Sequence, residues 1–217
     1  RQALEAEMGV RVGFDVPTDG QLDLASAREA LYGWLWARYE GGVFCLNLRE
    51  PLASPARASV AADLRLLGLD WDGEVDGELL ATSHVFGETY VPEEASLEYV
   101  HLPRLEGPEA STPVQAWIDQ GYSGLALANT LARLGWTPRG RRALLSLDAL
   151  AARFELGRVS HRPVLFDRRV LDWFNRRWLA GLDAETVTGL LSPHWQTAYG
   201  RAERAEVRHL VRGPGEG

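Results

Sequence analysis

Residues 10–48 read VRVGFDVPTDGQLDLASAREALYGWLWARYEGGVFCLNL, and this stretch decides the fold. Val10, Val12 and Phe14 make residues 10–14 a short apolar strand. Pro17, Asp19 and Gly20 make 16–22 a turn-rich loop. Asp23 or Ser26 can then cap a helix, because a short polar side chain there accepts a hydrogen bond from a first-turn amide. Ala27, Ala30, Leu31, Trp34, Leu35 and Arg38 recur at helical spacing to about Tyr39, and Gly41-Gly42 stops the run. Residues 43–48 form a second strand. Ser54 or Ser59 opens a second helix with Val60, Leu64 and Leu67 on one face, ended by Gly68. Strand, helix, strand, helix in this order requires parallel pairing with right-handed crossovers, the core of a doubly wound α/β sheet.

Further strands are expected over 79–86 and 99–102. After Thr112 the pattern turns helical, with candidates at 113–119, 124–134, 146–154, 168–180 and 183–191. The organisation expected is a sheet domain over 1–110, a small helical domain over 111–200 and a polar tail, 201–217, that frays. Hydrophobic residues make up 46% of the 217, enough for a core. No apolar run is long enough to cross a membrane and the first ten residues lack the apolar core of a signal peptide, so a cytoplasmic protein is expected. Cys45 is the only cysteine and is expected in the core. The five histidines lack metal-ligand spacing, and neither a metal nor a cofactor is expected.

All 23 basic residues are arginine; the chain contains no lysine. Residues 1–132 hold 8 Arg against 21 Asp and Glu, a net of −13, whereas 133–177 hold 11 Arg against 4 acids, a net of +7. An acidic front and a basic segment point to different partners. The basic segment reads either as a solvated face whose arginine stems cover apolar surface, or as a contact surface for nucleic-acid backbone. Asp70 and Asp72 read as a solvated carboxylate pair in a loop. Trp36, Trp117, Trp178 and Trp195 are the tryptophans least obviously in the core, and so possible anchors for a partner.

Several ordered pieces resemble glutamyl-tRNA synthetases. Phe14 to Leu22, followed by Ala27-Arg28-Glu29-Ala30-Leu31 and Trp34 to Arg38, is similar to the opening of that family. Gly41 to Phe44, Leu67 to Asp72, Ser83-His84-Val85, His101-Leu102-Pro103, Gly121-Tyr122, Leu134-Gly135-Trp136, Phe166-Asp167 and Leu171 to Asn175 continue the likeness in order over about three quarters of the chain. The resemblance implies a trimmed Rossmann-like parallel sheet followed by a helical domain like the one that contacts the tRNA stem.

The departures fall where the family's chemistry lies. The signature histidine that contacts ATP phosphate falls on Asp23, and the signature glycines fall on Ala25 and Ser26. The family's second, lysine-bearing signature should follow Gly107-Pro108-Glu109, but Ala110 to Pro113 leads straight on. The long inserted domain that grips the tRNA acceptor end has no counterpart between Asp72 and Leu79, and nothing resembles an anticodon-binding domain. The resemblance therefore implies a paralogue without catalytic residues, kept as a binding or regulatory module for tRNA, another structured RNA, a protein partner or a second copy of itself. Residual or altered ATP-dependent ligase activity is the alternative. Candidate RNA contacts are Arg141, Arg142, Arg168, Arg169, Arg176 and Arg177; candidate residues of the remnant cleft are Asp15, Asp23, Glu50, His84 and Glu88.

Overall fold

A computed structural model of the chain describes residues 10–48, 54–76, 84–87, 98–140 and 142–189. The elements run β1 (Arg11–Asp15), α1 (Leu24–Tyr39), β2 (Val43–Leu48), α2 (Ser54–Leu66), β3 (Gly73–Asp76), β4 (His84–Gly87) and β5 (Glu98–His101). Then come β6 (Leu105–Glu106), a 3₁₀ turn (Pro108–Ser111), α3 (Val114–Asp119), α4 (Gly124–Leu131), α5 (Leu147–Ala151), β7 (Val164–Leu165) and α6 (Arg168–Leu179). The chain divides into two compact units, Arg1–Asn175 and Arg176–Gly217. The division expected at residue 110 lies inside the first.

The main sheet has five parallel strands in the order β3-β2-β1-β4-β5. Strand order therefore reverses between β1 and β4. The side chains Val12, Phe14, Phe44, Leu46 and Phe86 enter a core completed by Leu31, Leu35 and other residues of α1, which packs on β1, β2 and β4. A helix buried on most of its circumference belongs inside a fold rather than on its surface, and α1 buries Ala27, Arg28, Ala30, Leu31, Tyr32, Trp34, Leu35 and Ala37.

The structure places β1, α1, β2 and α2 where the sequence put them, with α2 opening at Ser54. It adds β3, which sequence reading passed over. Glu74 and Asp76 give that strand no apolar alternation; its place beside β2 is set just upstream, where Asp72 N donates to Phe44 O (2.8 Å) and Phe44 N donates to Asp72 Oδ2 (2.8 Å). Of the strand expected over 79–86, residues 79–83 lie outside the described residues and β4 begins at His84. A second, two-stranded parallel sheet joins β6 to β7.

The helical candidates are shorter than their apolar spacing suggested. α4 ends at Leu131 because Arg133 N and Leu134 N turn back on Thr130 O and Leu131 O in tighter i→i+3 bonds. α5 is capped by Ser146 Oγ, which accepts from Ala149 N (3.2 Å). In the second unit residues 184–189 are helical, and Asp183 Oδ1 caps them by accepting from Thr186 N (2.8 Å). Residues 190–191 and the tail 201–217 lie outside the described residues.

The helical part of the first unit shares one hydrophobic core with the sheet through α1. Phe154, fully buried, meets Tyr32 at 5.4 Å and Trp136 at 5.2 Å edge-on. Burying one such ring contributes about 2–3 kcal/mol. Trp117 is also core, at 4% exposure, against Tyr122 and Phe166. It is thus not the exposed anchor expected. Trp36 is half-buried and stacks on Tyr39, Trp178 is half-buried in the second unit, and Trp195 lies outside the described residues.

Candidate functional site

In a doubly wound sheet ligands bind beyond the carboxyl ends of the strands where strand order reverses, here β1 and β4. The helix following β1 would point its N-terminal amides and the positive end of its dipole at an anion there. In this chain two of those amides, Leu24 N and Ser26 N, are already occupied. Asp23 is the N-cap of α1, and its Oδ1 accepts from Ser26 N (2.8 Å). Ala27 N donates to Asp23 O (2.8 Å). Leu24 N donates to Thr112 O (3.2 Å) and Val114 N to Leu22 O (2.8 Å), so Leu22–Leu24 is stapled antiparallel to residues 112–114. The 3₁₀ turn over Pro108–Ser111 delivers Thr112 to this position, with Thr112 N donating to Glu109 O (2.9 Å).

Of the two remaining cleft candidates among the described residues, Asp15 lies at this end and His84 does not. Asp15 closes β1 and accepts from Asn47 Nδ2 (3.2 Å). His84 opens β4 in register with Val12 and Glu98, three residues upstream of Gly87 and so roughly 10 Å back from the ligand-binding edge. Glu50 and Glu88 lie outside the described residues. Among the described residues no group of three or more His, Cys, Asp or Glu side chains could hold a metal ion.

The candidate RNA-contacting arginines are unevenly committed. Arg168 donates to Tyr122 Oη (2.9 Å) and Gln120 Oε1 (3.0 Å), with its guanidinium near the Trp117 and Tyr122 rings. Tyr122 Oη in turn donates to Asp172 Oδ1 (2.5 Å), and burial followed by that carboxylate pushes the phenol's pKa upward. Arg169 pairs with Asp167 through Nε (3.1 Å), but its side chain is 89% exposed, so water screens the pair. Arg142 lies over the Trp173 ring at 5.6 Å. Arg176 and Arg177 are exposed and belong to the second unit. Arg141 lies outside the described residues.

Two structural roles escaped the sequence reading. Arg28 is fully buried and donates through Nη1 to Leu134 O (3.2 Å) and through Nη2 to Pro103 O. Tyr32, one turn on, reaches Ala132 O (3.2 Å) and Leu134 O (3.0 Å), and burial raises its phenol above the ordinary range. The scarcity of polar residues on α1 was the available signal that Arg28 would be inside. Asp70 and Asp72 are exposed, as expected, and in addition form a clasp. Asp70 accepts from Trp34 Nε1 (2.7 Å) and Arg38 Nη2 (3.0 Å), while Asp72 accepts from Arg38 Nη1 (2.8 Å). The Trp34 and Arg38 hydrogen bonds hold the Asp70 carboxyl below the usual range.

No protein-family model matches the chain. Part of it is similar to glutamate–tRNA ligases: 41% identical over 85 residues to that of Halalkalibacterium halodurans, covering 39% of this chain and 18% of that protein. The glutamate–tRNA ligase of Heliobacterium modesticaldum is 38% identical over 107 residues, covering 46% and 22%. The matches thus span about a fifth of the length of these relatives. The fold is that of the glutamate–tRNA synthetase of Elizabethkingia anophelis, with a TM-score of 0.76 over 91% of this chain and 76% of that one, at 14% identity. Among the described residues no helix is long and apolar enough to cross a membrane.

Proposed function

We propose that this chain is a glutamate–tRNA-ligase-like module that binds structured RNA, tRNA being the first candidate, without activating an amino acid. The observation that carries the non-catalytic half is the internal closure of the α1 N-terminus by Asp23 and Thr112. A polyphosphate there would meet the Asp23 carboxylate in place of a free amide, and no lysine exists to offset the charge that develops during adenylate formation. Losing one such donor costs roughly 10²–10³-fold in rate. The RNA-binding half rests on the net +7 carried by residues 133–177.

The test combines two assays on the same preparation. ATP–pyrophosphate exchange with glutamate is expected to remain at background. Total tRNA is expected to bind in a salt-dependent way and to be lost when Arg142, Arg169, Arg176 and Arg177 are changed together to Glu. Measurable exchange would restore the ligase reading, residual or altered. Binding indifferent to the four reversals would remove the RNA reading and leave an acidic front, net −13 over residues 1–132, as the docking element for a protein partner or a second copy.

A further inference from the structure

We infer that a cavity beside α4 and α6, lined by Arg133 and Arg142, is a binding pocket for a phosphate-bearing ligand of nucleotide size. The cavity measures about 330 Å³, with Leu134, Pro138, Leu165 and Val170 on its apolar walls. That is too large for a lone inorganic anion and falls within the range of small-molecule pockets. Gly140, at φ +101°, takes the loop through a bend that side chains resist and returns Arg142 to the cavity wall.

Three other arginines of the basic segment are held by carboxylates. Arg139 and Arg158 share Glu155, and Arg169 holds Asp167. Among the described residues neither Arg133 nor Arg142 is in an ion pair. Arg133 is half-buried above the Phe174 ring at 4.5 Å, and its acceptors are all neutral: Asn129 O (2.8 Å), Asn129 Oδ1 (3.2 Å) and Ala143 O (3.0 Å). Those three bonds leave two of its five N–H donors for a ligand. Burial, then the charge of Arg142, pulls the Arg133 pKa down to about 10, so two positive groups face one cavity at a cost that an anion between them removes.

Among the described residues the lining holds one carboxylate, Asp167, which accepts from the Nε, Nη2 and backbone N–H of Arg169 and also feels the charge of Arg142. Planar guanidiniums match phosphate oxygens in pairs. Leu165, 67% exposed at the mouth, offers apolar surface to the ligand's sugar or base. The phosphate can come from a free nucleotide or from a nucleotide of an RNA chain.

The test follows the backbone amides of Thr137, Gly140 and Arg142 by NMR in the full chain during titration with AMP, with adenosine and with tRNA. AMP is expected to shift them saturably, adenosine at least about tenfold more weakly, and Arg142→Ala to weaken AMP by about tenfold. Arg142 is exposed, so this variant keeps the fold even if Arg133→Met does not. If tRNA moves the same amides and AMP displaces it, the phosphate is supplied by RNA. If AMP binds while tRNA leaves these amides unmoved, the pocket serves a free nucleotide and the inference stands even where RNA binding fails. Unmoved amides with AMP, or equal binding of AMP and adenosine, overturn the inference, whether or not tRNA binds elsewhere.

Discussion

Replacing Asp23 with Ala removes one hydrogen bond and one charge from the start of the helix around which the first unit is built. The Asp23 Oδ1 bond to Ser26 N is 2.8 Å long and part-buried, and the carboxylate also faces the positive end of the α1 dipole. Loss of an N-cap costs about 1 kcal/mol. With a urea slope of roughly 2 kcal/mol per molar for a domain of this size, the midpoint of unfolding falls by about 0.5 M. The melting temperature drops by roughly 3 °C. Asp23→Asn keeps an acceptor and loses only the charge, so its deficit is a few tenths of a kcal/mol. Urea titration of the three proteins, with hydrogen exchange at the Ser26 amide, reads the effect. The Thr112 carbonyl still occupies Leu24 N in the variant, so Asp23→Ala alone gains no ATP binding. Equal midpoints for Asp23→Ala and the unmodified chain, or ATP binding gained by this change alone, would refute the reasoning.

Tyr32→Phe deletes the hydroxyl that serves Ala132 O and Leu134 O and costs about 1 kcal/mol by thermal unfolding; an unchanged melting temperature would show that Arg28 alone suffices. Gly124→Ala places a methyl against the Leu66 carbonyl and destabilises by about 3 kcal/mol, read as the urea midpoint of the soluble fraction. The Asp70 carboxyl is held low in the folded state, so its contribution is complete above the ordinary carboxylate pKa and is lost as pH falls through the depressed folded value. The stability gap between the unmodified chain and Asp70→Asn, below about 1 kcal/mol at neutral pH for so exposed a group, therefore narrows below about pH 4. A gap that stays constant from pH 7 to pH 3 would contradict the clasp.

What could be read from sequence depended on whether the deciding interaction was local. β1, α1 and β2 were legible because apolar runs, a capping side chain and two glycines act within a few residues of one another. Asp23 was legible as a cap for the same reason. β3 was not, since its pairing is set by Asp72 exchanging hydrogen bonds with Phe44, 28 residues earlier in the chain. Helical spacing placed Arg28 on α1 but could not supply carbonyls from residues 103 and 134. Net charge found the basic segment, yet a sum of charges carries no information on pairing. It ranked Arg168 and Arg169 beside Arg142, although the first is held by Tyr122 and Gln120 and the second by Asp167. The Arg133–Arg142 cavity depends on a bend at Gly140 and on Leu165, Asp167 and Val170 arriving from much later in the chain.

The buried grip of Arg28 and Tyr32 on the carbonyls of Pro103, Ala132 and Leu134 bears on how far the chain can be dissected. A cut between the sheet and the arginine-rich part would strand a guanidinium on one side and uncapped carbonyls on the other, each in an apolar setting that water enters reluctantly. Neither fragment is a sound minimal binder. Deletion mapping aimed at the smallest folded piece will keep returning the sheet, because it is the keel on which the arginine-bearing part is laid.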